Sequence, residues 1–260
     1  MGYAIWLVPS STEFMALSEL MKFRPQPHIL NPYSRSYPSF DPHITLATFD
    51  YLPSSFNLEA IPLKGLQRPV TTFGSMRCGS SYLGALSVRM SDSRQFRRVH
   101  EAVVTYLSAL GMHWRSHDFP HMSLFYVDEP VERKRLDAQL ANSGRVQRYD
   151  AGRGLVLDPY PNSARSIPVT TFTGEEIWLV DCTSHSVNHW RVMRRRFLVS
   201  PILPPAPKSI LKNPSSARPS SLHRTRSNRV NRGAKSSRRR RQASSFNRFL
   251  SCISRWWRGI

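Results

Sequence analysis

The sequence predicts an α+β fold in which helices pack on antiparallel sheet. Apolar residues recur at strand spacing in some segments and at helix spacing in others. These segments follow one another as strand, helix, strand, two strands, helix, strand, helix and closing strands. Single helices among groups of neighbouring strands are typical of an α+β domain.

The first 50 residues predict two strands on either side of one helix. Residues 3–8 form a short β-prone run. Residues 11–23 begin with hydroxyl side chains and repeat apolar residues at helix spacing. The five prolines between residues 24 and 42 exclude a helix there, so we expect a loop. Residues 43–49 alternate and predict the second strand.

The middle of the chain predicts a strand pair followed by the clearest helix. Residues 69–77 and 82–90 form the two strands. Residues 92–110 place their apolar side chains on one helical face, and Gly111 ends the helix.

The last third of the domain predicts strands around one short helix. Residues 121–127 form a strand, and residues 131–140 form a charged helix. Residues 177–182 and 190–198 form a closing pair of strands.

The positive charge is concentrated at the C-terminal end. The chain has 37 Lys+Arg against 17 Asp+Glu, a net charge of +20. Residues 201–260 hold 15 of the basic residues and none of the acidic ones, which leaves a net charge of +5 on residues 1–200. We therefore predict a folded domain over 1–200. Residues 201–245, rich in Pro, Ser and Arg, predict a disordered basic tail, and residues 246–260 a basic amphipathic helix.

Several protein classes are excluded. No stretch of 18 apolar residues is present, which excludes a membrane-spanning helix. The N-terminus has no basic segment and Pro9 interrupts its apolar run, so we expect no secretory signal. The three cysteines are widely spaced, which excludes a disulfide framework and a Cys-rich zinc site and favours a reducing, cytoplasmic location.

An internal repeat is the most informative feature of the sequence. Residues 42–50 (PHITLATFD) align with residues 120–128 (PHMSLFYVD), and Pro, His, Leu and the final Asp are identical. In each copy a histidine and a hydroxyl residue stand two apart, so they share one face of a predicted strand. The residue between them points to the other face, into the core.

The paired motifs suit acid–base cleavage of a cyclic phosphodiester. Attack by water needs a base, and the departing sugar oxygen needs a proton; histidine titrates near neutral pH and can do either. We predict His43 and His121 as these catalytic groups, and the residues alone leave open which is the base. Thr45 and Ser123 would donate hydrogen bonds to the non-bridging oxygens. No paired-carboxylate cage stands near either motif, so we expect no metal and no cofactor.

The paired motif resembles the 2H phosphoesterases, a superfamily named for two His-x-Thr/Ser motifs. Residues 1–198 look like the 2′,3′-cyclic-nucleotide 3′-phosphodiesterases of fungi and plants. Three features carry this likeness: the opening strand with Trp6 followed by Pro9, the second motif over residues 119–126, and the closing strand pair. The resemblance implies a two-lobed, LigT-like fold with antiparallel sheets facing across a central cleft, each lobe contributing one histidine and one hydroxyl.

The resemblance also implies a substrate and a role for each side chain. The substrate would be a nucleoside 2′,3′-cyclic phosphate, opened to the 2′-phosphate, or ADP-ribose 1″,2″-cyclic phosphate, a by-product of tRNA splicing. His121 would activate water and His43 would protonate the leaving oxygen. Tyr126 matches a family tyrosine that lines the site, although a regular strand would point it away from Ser123. It is either brought into the site by a twist or bulge or is a core residue of its strand. Trp6 is either a stacking platform for a base or a core residue of its strand.

Two other functions stay open. In the first, the same site acts on RNA ends or on 2′,5′-linked oligonucleotides. In the second, the domain is inactive, and the protein is a nucleotide- or RNA-binding module that its tail tethers to RNA or to a membrane. The intact histidine–hydroxyl pairs argue against the second. We expect a monomer that binds a small cyclic nucleotide, with an anionic membrane surface or nucleic acid as the partner of residues 201–260. The basic tail suggests two locations besides the cytoplasm: the surface of an endomembrane such as the Golgi, or the nucleus.

Overall fold

The computed structural model describes residues 2–26, 33–116, 119–149 and 154–198. All of these lie in the first of two compact units, Met1–Ala206. The predicted tail, 201–245 and 246–260, lies outside the described residues. None of the described helices is long and apolar enough to cross a membrane.

The described residues form three helices and ten strands. The helices are α1 (Ser11–Met21), α2 (Arg94–Ala109) and α3 (Pro130–Asn142). The strands are β1 (Tyr3–Pro9), β2 (Ile44–Phe49), β3 (Val70–Cys78), β4 (Leu86–Met90), β5 (Trp114–Arg115), β6 (His121–Phe125), β7 (Val146–Tyr149), β8 (Gly154–Leu157), β9 (Thr171–Asp181) and β10 (Arg191–Phe197).

Eight of these strands pair antiparallel in an order that closes on itself. The path runs β1-β2-β6-β4-β3-β9, and β9 pairs again with β1. Strand β10 extends the sheet beyond β9, β5 pairs with β2, and β7 and β8 form a separate pair. The predicted α+β class with antiparallel sheets is confirmed.

The ring of strands divides into two lobes. The first lobe contains β1, β2, β9 and β10, and the second contains β3, β4 and β6. Three residue pairs join β3 to β9, and the single pair Ile44–Met122 joins β2 to β6. The two motif strands are therefore neighbours at the seam between the lobes.

The helices cover the face of the sheet opposite the motif side chains. The predicted apolar face of α2 is buried there, and Ser93 caps the helix by accepting a hydrogen bond from the backbone N–H of Phe96 at 3.2 Å. Ile44 and Met122, which stand between each histidine and its hydroxyl residue, are fully buried in the same core. Each motif therefore has one core face and one polar face, as predicted.

The predicted elements are present, with several ends displaced. Strand β4 begins at Leu86 rather than at 82, because residues 79–85 form bends and a turn. Strand β9 begins at Thr171 rather than at 177, because its first residues pair with Val70–Thr72 of β3. The sequence did not predict the short strands β5, β7 and β8.

Candidate active site

All six residues predicted for the site line one cleft. Its volume is about 390 Å³, and its lining includes His43, Thr45, Trp6, His121, Ser123 and Tyr126. The first three come from the first lobe and the others from the second. The structure brings these side chains together, while their catalytic and binding roles stay predictions.

The pair Ile44–Met122 lies at the centre of this arrangement. The two residues occupy the same position in the repeat, so their antiparallel pairing relates the two motifs by a local two-fold axis. The register also places each histidine across from the hydroxyl residue of the other motif. A ligand at the seam would therefore meet one imidazole and one hydroxyl from each lobe.

A β-bulge in β6 brings Tyr126 into the cleft. Ser123 and Phe125 pair with neighbouring residues of β4, so Leu124 is the extra residue of the bulge. Leu124 and Phe125 are both buried in the core. The alternation of faces is therefore shifted by one residue, and Tyr126 lines the cleft together with Ser123.

The same bulge occurs at the equivalent position of β2. Thr45 and Ala47 pair with neighbouring residues of β1, so Leu46 is the extra residue. Thr48 consequently lines the cleft as the counterpart of Tyr126. Thr48 was not among the predicted site residues, although it occupies the same position as Tyr126 in the alignment of the two repeats.

His43 is only 4% exposed and is held in one tautomer. Its Nδ1 lies 2.6 Å from the carbonyl oxygen of Asp41. Because a carbonyl can only accept, Nδ1 carries the proton and Nε2 holds the lone pair of the neutral ring. Burial lowers the pKa of His43 to about 3; the bond to Asp41 raises this pKa in part, and the charge of His121 lowers it further. His43 is therefore neutral at pH 7.

The indole of Trp6 covers one face of the buried His43 ring. Its ring lies parallel to the imidazole of His43, with centroids 3.6 Å apart and an interplanar angle of 8°. Trp6 itself is 3% exposed. The sequence left base stacking and core packing open for this residue; the structure shows a buried ring against His43, and stacking on a base stays a prediction.

Among the described residues, the second lobe has no equivalent of this indole. Trp6 of β1 and Ser87 of β4 each pair with the hydroxyl residue of their lobe's motif, so Ser87 stands where the first lobe has Trp6. His121 is partly exposed, whereas His43 is buried. The two-fold symmetry of the motifs is broken here, which gives the two histidines different surroundings.

Three aromatic side chains pack around Tyr126, and Trp190 lines the cleft with it. Its ring stacks on Phe40 at 4.2 Å between centroids, and Trp190 and Tyr82 lie at 6.1 and 5.7 Å. Burial raises the pKa of Tyr126, and a hydrogen bond with Ser123 lowers it in part, so the phenol is protonated at neutral pH. Trp190 was predicted only as the first residue of a strand, and the structure places it in the lining of the cleft.

Other polar and ionisable side chains also line the cleft. Cys182 lines the cleft, but burial raises its pKa to about 12, so its thiol is protonated at neutral pH and is a poor nucleophile. At the rim, Arg115 donates to the carboxylate of Asp50 at 3.0 Å. Within the described ranges, no group of three or more His, Cys, Asp or Glu side chains is placed to hold a metal ion.

Comparisons with solved structures give matches of low sequence identity. A crystal structure of a phosphoesterase has 11% identity and a TM-score of 0.38, covering 76% of this chain and 98% of that one. E. coli LigT complexed with 3′-AMP has 10% identity and a TM-score of 0.42, with the same coverage. A Thermus thermophilus protein has 14% identity and a TM-score of 0.38, covering 77% of this chain and 99% of that one. The curated proteins contain no significant match.

The model of the family described as "cyclic phosphodiesterase-like protein" matches residues 1–198, the segment that contains both motifs and every strand of the cleft. The resemblance to the 2H phosphoesterases is thereby confirmed, and with it a phosphodiesterase-type hydrolase. The chain belongs to the cyclic phosphodiesterase-like family.

Proposed function

We propose that the protein hydrolyses nucleoside 2′,3′-cyclic phosphates to nucleoside 2′-phosphates without a metal ion. One observation carries this proposal: the two histidine–hydroxyl pairs meet in one cleft across the Ile44–Met122 seam. In-line displacement at phosphorus needs a proton acceptor on the attacking side and a proton donor on the leaving side. An imidazole from each lobe meets that need.

In the proposed reaction, water attacks phosphorus while the bond from phosphorus to O3′ breaks. One imidazole accepts a proton from the water, and the other donates a proton to O3′. The product retains its phosphate on O2′, and exchange with solvent restores both protonation states. Thr45 and Ser123 donate hydrogen bonds to the non-bridging oxygens, where negative charge accumulates in the transition state.

We assign the base to His43, the reverse of the roles that the resemblance implies. A histidine with a pKa of about 3 carries almost no proton to donate at pH 7. Its Nδ1 donates a hydrogen bond to the carbonyl oxygen of Asp41, so Nε2 is the nitrogen that can accept a proton from water. A bound phosphodiester anion would raise the pKa of His43 and strengthen it as a base. The partly exposed His121 is then the donor to O3′.

The test of the function is turnover of 2′,3′-cyclic AMP by the full chain in the presence of EDTA. We expect adenosine 2′-phosphate, separated from the 3′-isomer by chromatography. His43→Ala and His121→Ala should each lower kcat by about 10²–10⁴-fold. Adenosine 3′-phosphate as the product would overturn the direction of opening, and no product from the folded protein would overturn the function.

The roles of the two histidines are tested with a substrate in which sulfur replaces O3′. A thiolate leaves without being protonated, because a thiol is far more acidic than a sugar hydroxyl. For the variant that lacks the general acid, the rate relative to wild type should therefore be at least about tenfold higher with the sulfur substrate than with the oxygen substrate. We expect this recovery in His121→Ala and not in His43→Ala. Recovery in His43→Ala alone would restore the roles implied by the resemblance.

A further inference from the structure

A second cavity of about 410 Å³ adjoins the catalytic cleft. Its lining includes Arg35, Tyr82 and Ser184, and it shares Ser81, Leu83 and Trp190 with the cleft. None of the described residues that line it is acidic. We name it the Arg35 pocket.

The Arg35 pocket offers donors suited to a phosphate group. The side chain of Arg35 is 65% exposed, and Asp128 accepts from its Nε at 3.1 Å and from one terminal nitrogen at 3.0 Å. Asp128 thus orients the guanidinium and engages two of its three nitrogens. The hydroxyl of Ser81 accepts from the backbone N–H of Gly84 at 3.2 Å, which leaves its own proton for a ligand. A guanidinium beside hydroxyl donors is a typical arrangement for binding a phosphate.

Aromatic rings connect the pocket to the catalytic groups. The guanidinium of Arg35 lies over the ring of Tyr82, 4.9 Å from its centroid. Tyr82 and Trp190 both lie beside Tyr126, at 5.7 and 6.1 Å between centroids. Tyr126 is in turn hydrogen-bonded to Ser123, a predicted phosphate ligand. The ring of Tyr126 therefore lies between the Arg35 pocket and the proposed position of the cyclic phosphate.

The size of the combined space indicates a substrate larger than a nucleoside cyclic phosphate. A cleft of about 390 Å³ already lies in the usual range for a small ligand. In a 2′,3′-cyclic nucleotide both O2′ and O3′ are bound to the cyclic phosphate. A further phosphate on that ribose can only be attached at O5′.

We propose that the Arg35 pocket binds a phosphate on O5′ of the ribose that carries the cyclic phosphate, an inference that rests on the proposed function. Arg35 and Ser81 bind this phosphate, and the rings of Tyr82 and Trp190 contact the unit attached to it. The phosphate can be a terminal 5′-monophosphate or the last phosphodiester of an RNA chain. The chemistry of recognition is the same for both sources.

The kinetic test compares three substrates: 2′,3′-cyclic AMP, its 5′-phosphorylated form, and the dinucleotide ApA ending in a 2′,3′-cyclic phosphate. We expect wild-type kcat/KM to be about tenfold higher for the two phosphorylated substrates than for 2′,3′-cyclic AMP. In Arg35→Gln this ratio should fall to about 1. Arg35→Lys keeps the positive charge but lacks the paired N–H donors of the guanidinium, so its ratio should lie between those of wild type and Arg35→Gln. If kcat/KM is higher for the dinucleotide than for the 5′-phosphorylated nucleotide, the pocket binds an RNA end. If the two values are equal, the pocket recognises the phosphate alone.

A matched control separates this effect from a general loss of charge. Arg97 is 63% exposed and donates to Asp92, so Arg97→Gln removes a comparable surface arginine outside both cavities. The substrate ratio should be unchanged in Arg97→Gln. A ratio near 1 in wild type, or a high ratio that persists in Arg35→Gln, would overturn the subsite while turnover of 2′,3′-cyclic AMP leaves the proposed function standing.

A binding measurement tests the subsite without turnover. Isothermal titration compares adenosine 2′-phosphate with adenosine 2′,5′-bisphosphate. We expect the bisphosphate to bind wild type about tenfold more tightly, and this difference to disappear in Arg35→Gln. Equal affinities for the two ligands in wild type would overturn the subsite even if no cyclic nucleotide were hydrolysed.

Discussion

The indole of Trp6 covers one face of the imidazole of His43, with ring centroids 3.6 Å apart. This contact removes the imidazole from water, and burial lowers the pKa of His43 to about 3. The equivalent position of the second lobe holds Ser87. The difference between Trp6 and Ser87 at these equivalent positions therefore gives the two histidines different surroundings.

Removal of the indole should raise the pKa of His43. In Trp6→Leu we expect water to reach the ring and the pKa to move toward 6.5, with a smaller change in Trp6→Phe, which keeps an aromatic face. Because kcat/KM requires a neutral base, its acid limb should move to higher pH in Trp6→Leu. Titration of the His43 ring by NMR, together with the pH profile of kcat/KM, measures both effects. An unchanged pKa in Trp6→Leu would show that the indole does not control desolvation.

Acid should destabilise the protein through His43. The unfolded chain takes up this proton near pH 6.5 and the folded chain only near 3, so stability falls as pH falls through that window. His43→Gln does not titrate. From pH 7 to pH 4.5 we expect the free energy of unfolding to fall by about 1–3 kcal/mol more in wild type than in His43→Gln. Urea denaturation at the two pH values measures this, and equal losses in both proteins would contradict a buried neutral His43.

The two hydroxyl residues should act on kcat rather than on KM. Thr45→Val and Ser123→Ala each remove one donor to the non-bridging oxygens, and each should lower kcat by about 10–10²-fold. Ser123→Thr and Thr45→Ser keep the hydroxyl and should restore most of the rate. Steady-state kinetics on 2′,3′-cyclic AMP separates the two constants. A rise in KM at constant kcat would mean that these groups bind the ground state and the transition state equally.

The bulge in β2 should depend on Ser116. Its hydroxyl donates to the carbonyl oxygen of Leu46, the bulged residue, at 2.5 Å. Ser116→Ala should lower the free energy of unfolding by about 1–2 kcal/mol and also lower kcat, because Thr45 flanks the bulge. Ser108→Ala is the matched control; Ser108 accepts from Trp114 in an exposed bond, so we expect a loss below about 0.5 kcal/mol. Equal losses in the two variants would show that the bulge does not need this bond.

Only part of strand β9 could be predicted from its residues. Residues 177–180 are apolar and lie in the predicted segment 177–182, whereas the largely polar start of the strand was not predicted. That start becomes a strand because it pairs with Val70–Thr72, which are distant in the chain. Gly174 lies there with no room for a side chain, since a Cβ would approach the side chain of Leu7 to 2.7 Å. Such long-range contacts leave no periodic signal in the local sequence.

The sequence by itself determined the two histidine–hydroxyl motifs and their shared faces. Alternation along a strand places residues two apart on one side, whatever that strand pairs with. Only the tertiary structure decided which further side chains reach the cleft. Tyr126 and Thr48 arrive there through bulges at Leu124 and Leu46, and a bulge is set by the register of the partner strand rather than by local alternation. The different environments of His43 and His121 likewise arise from Trp6 and Ser87, which lie on those partner strands, because burial depends on what packs against a residue.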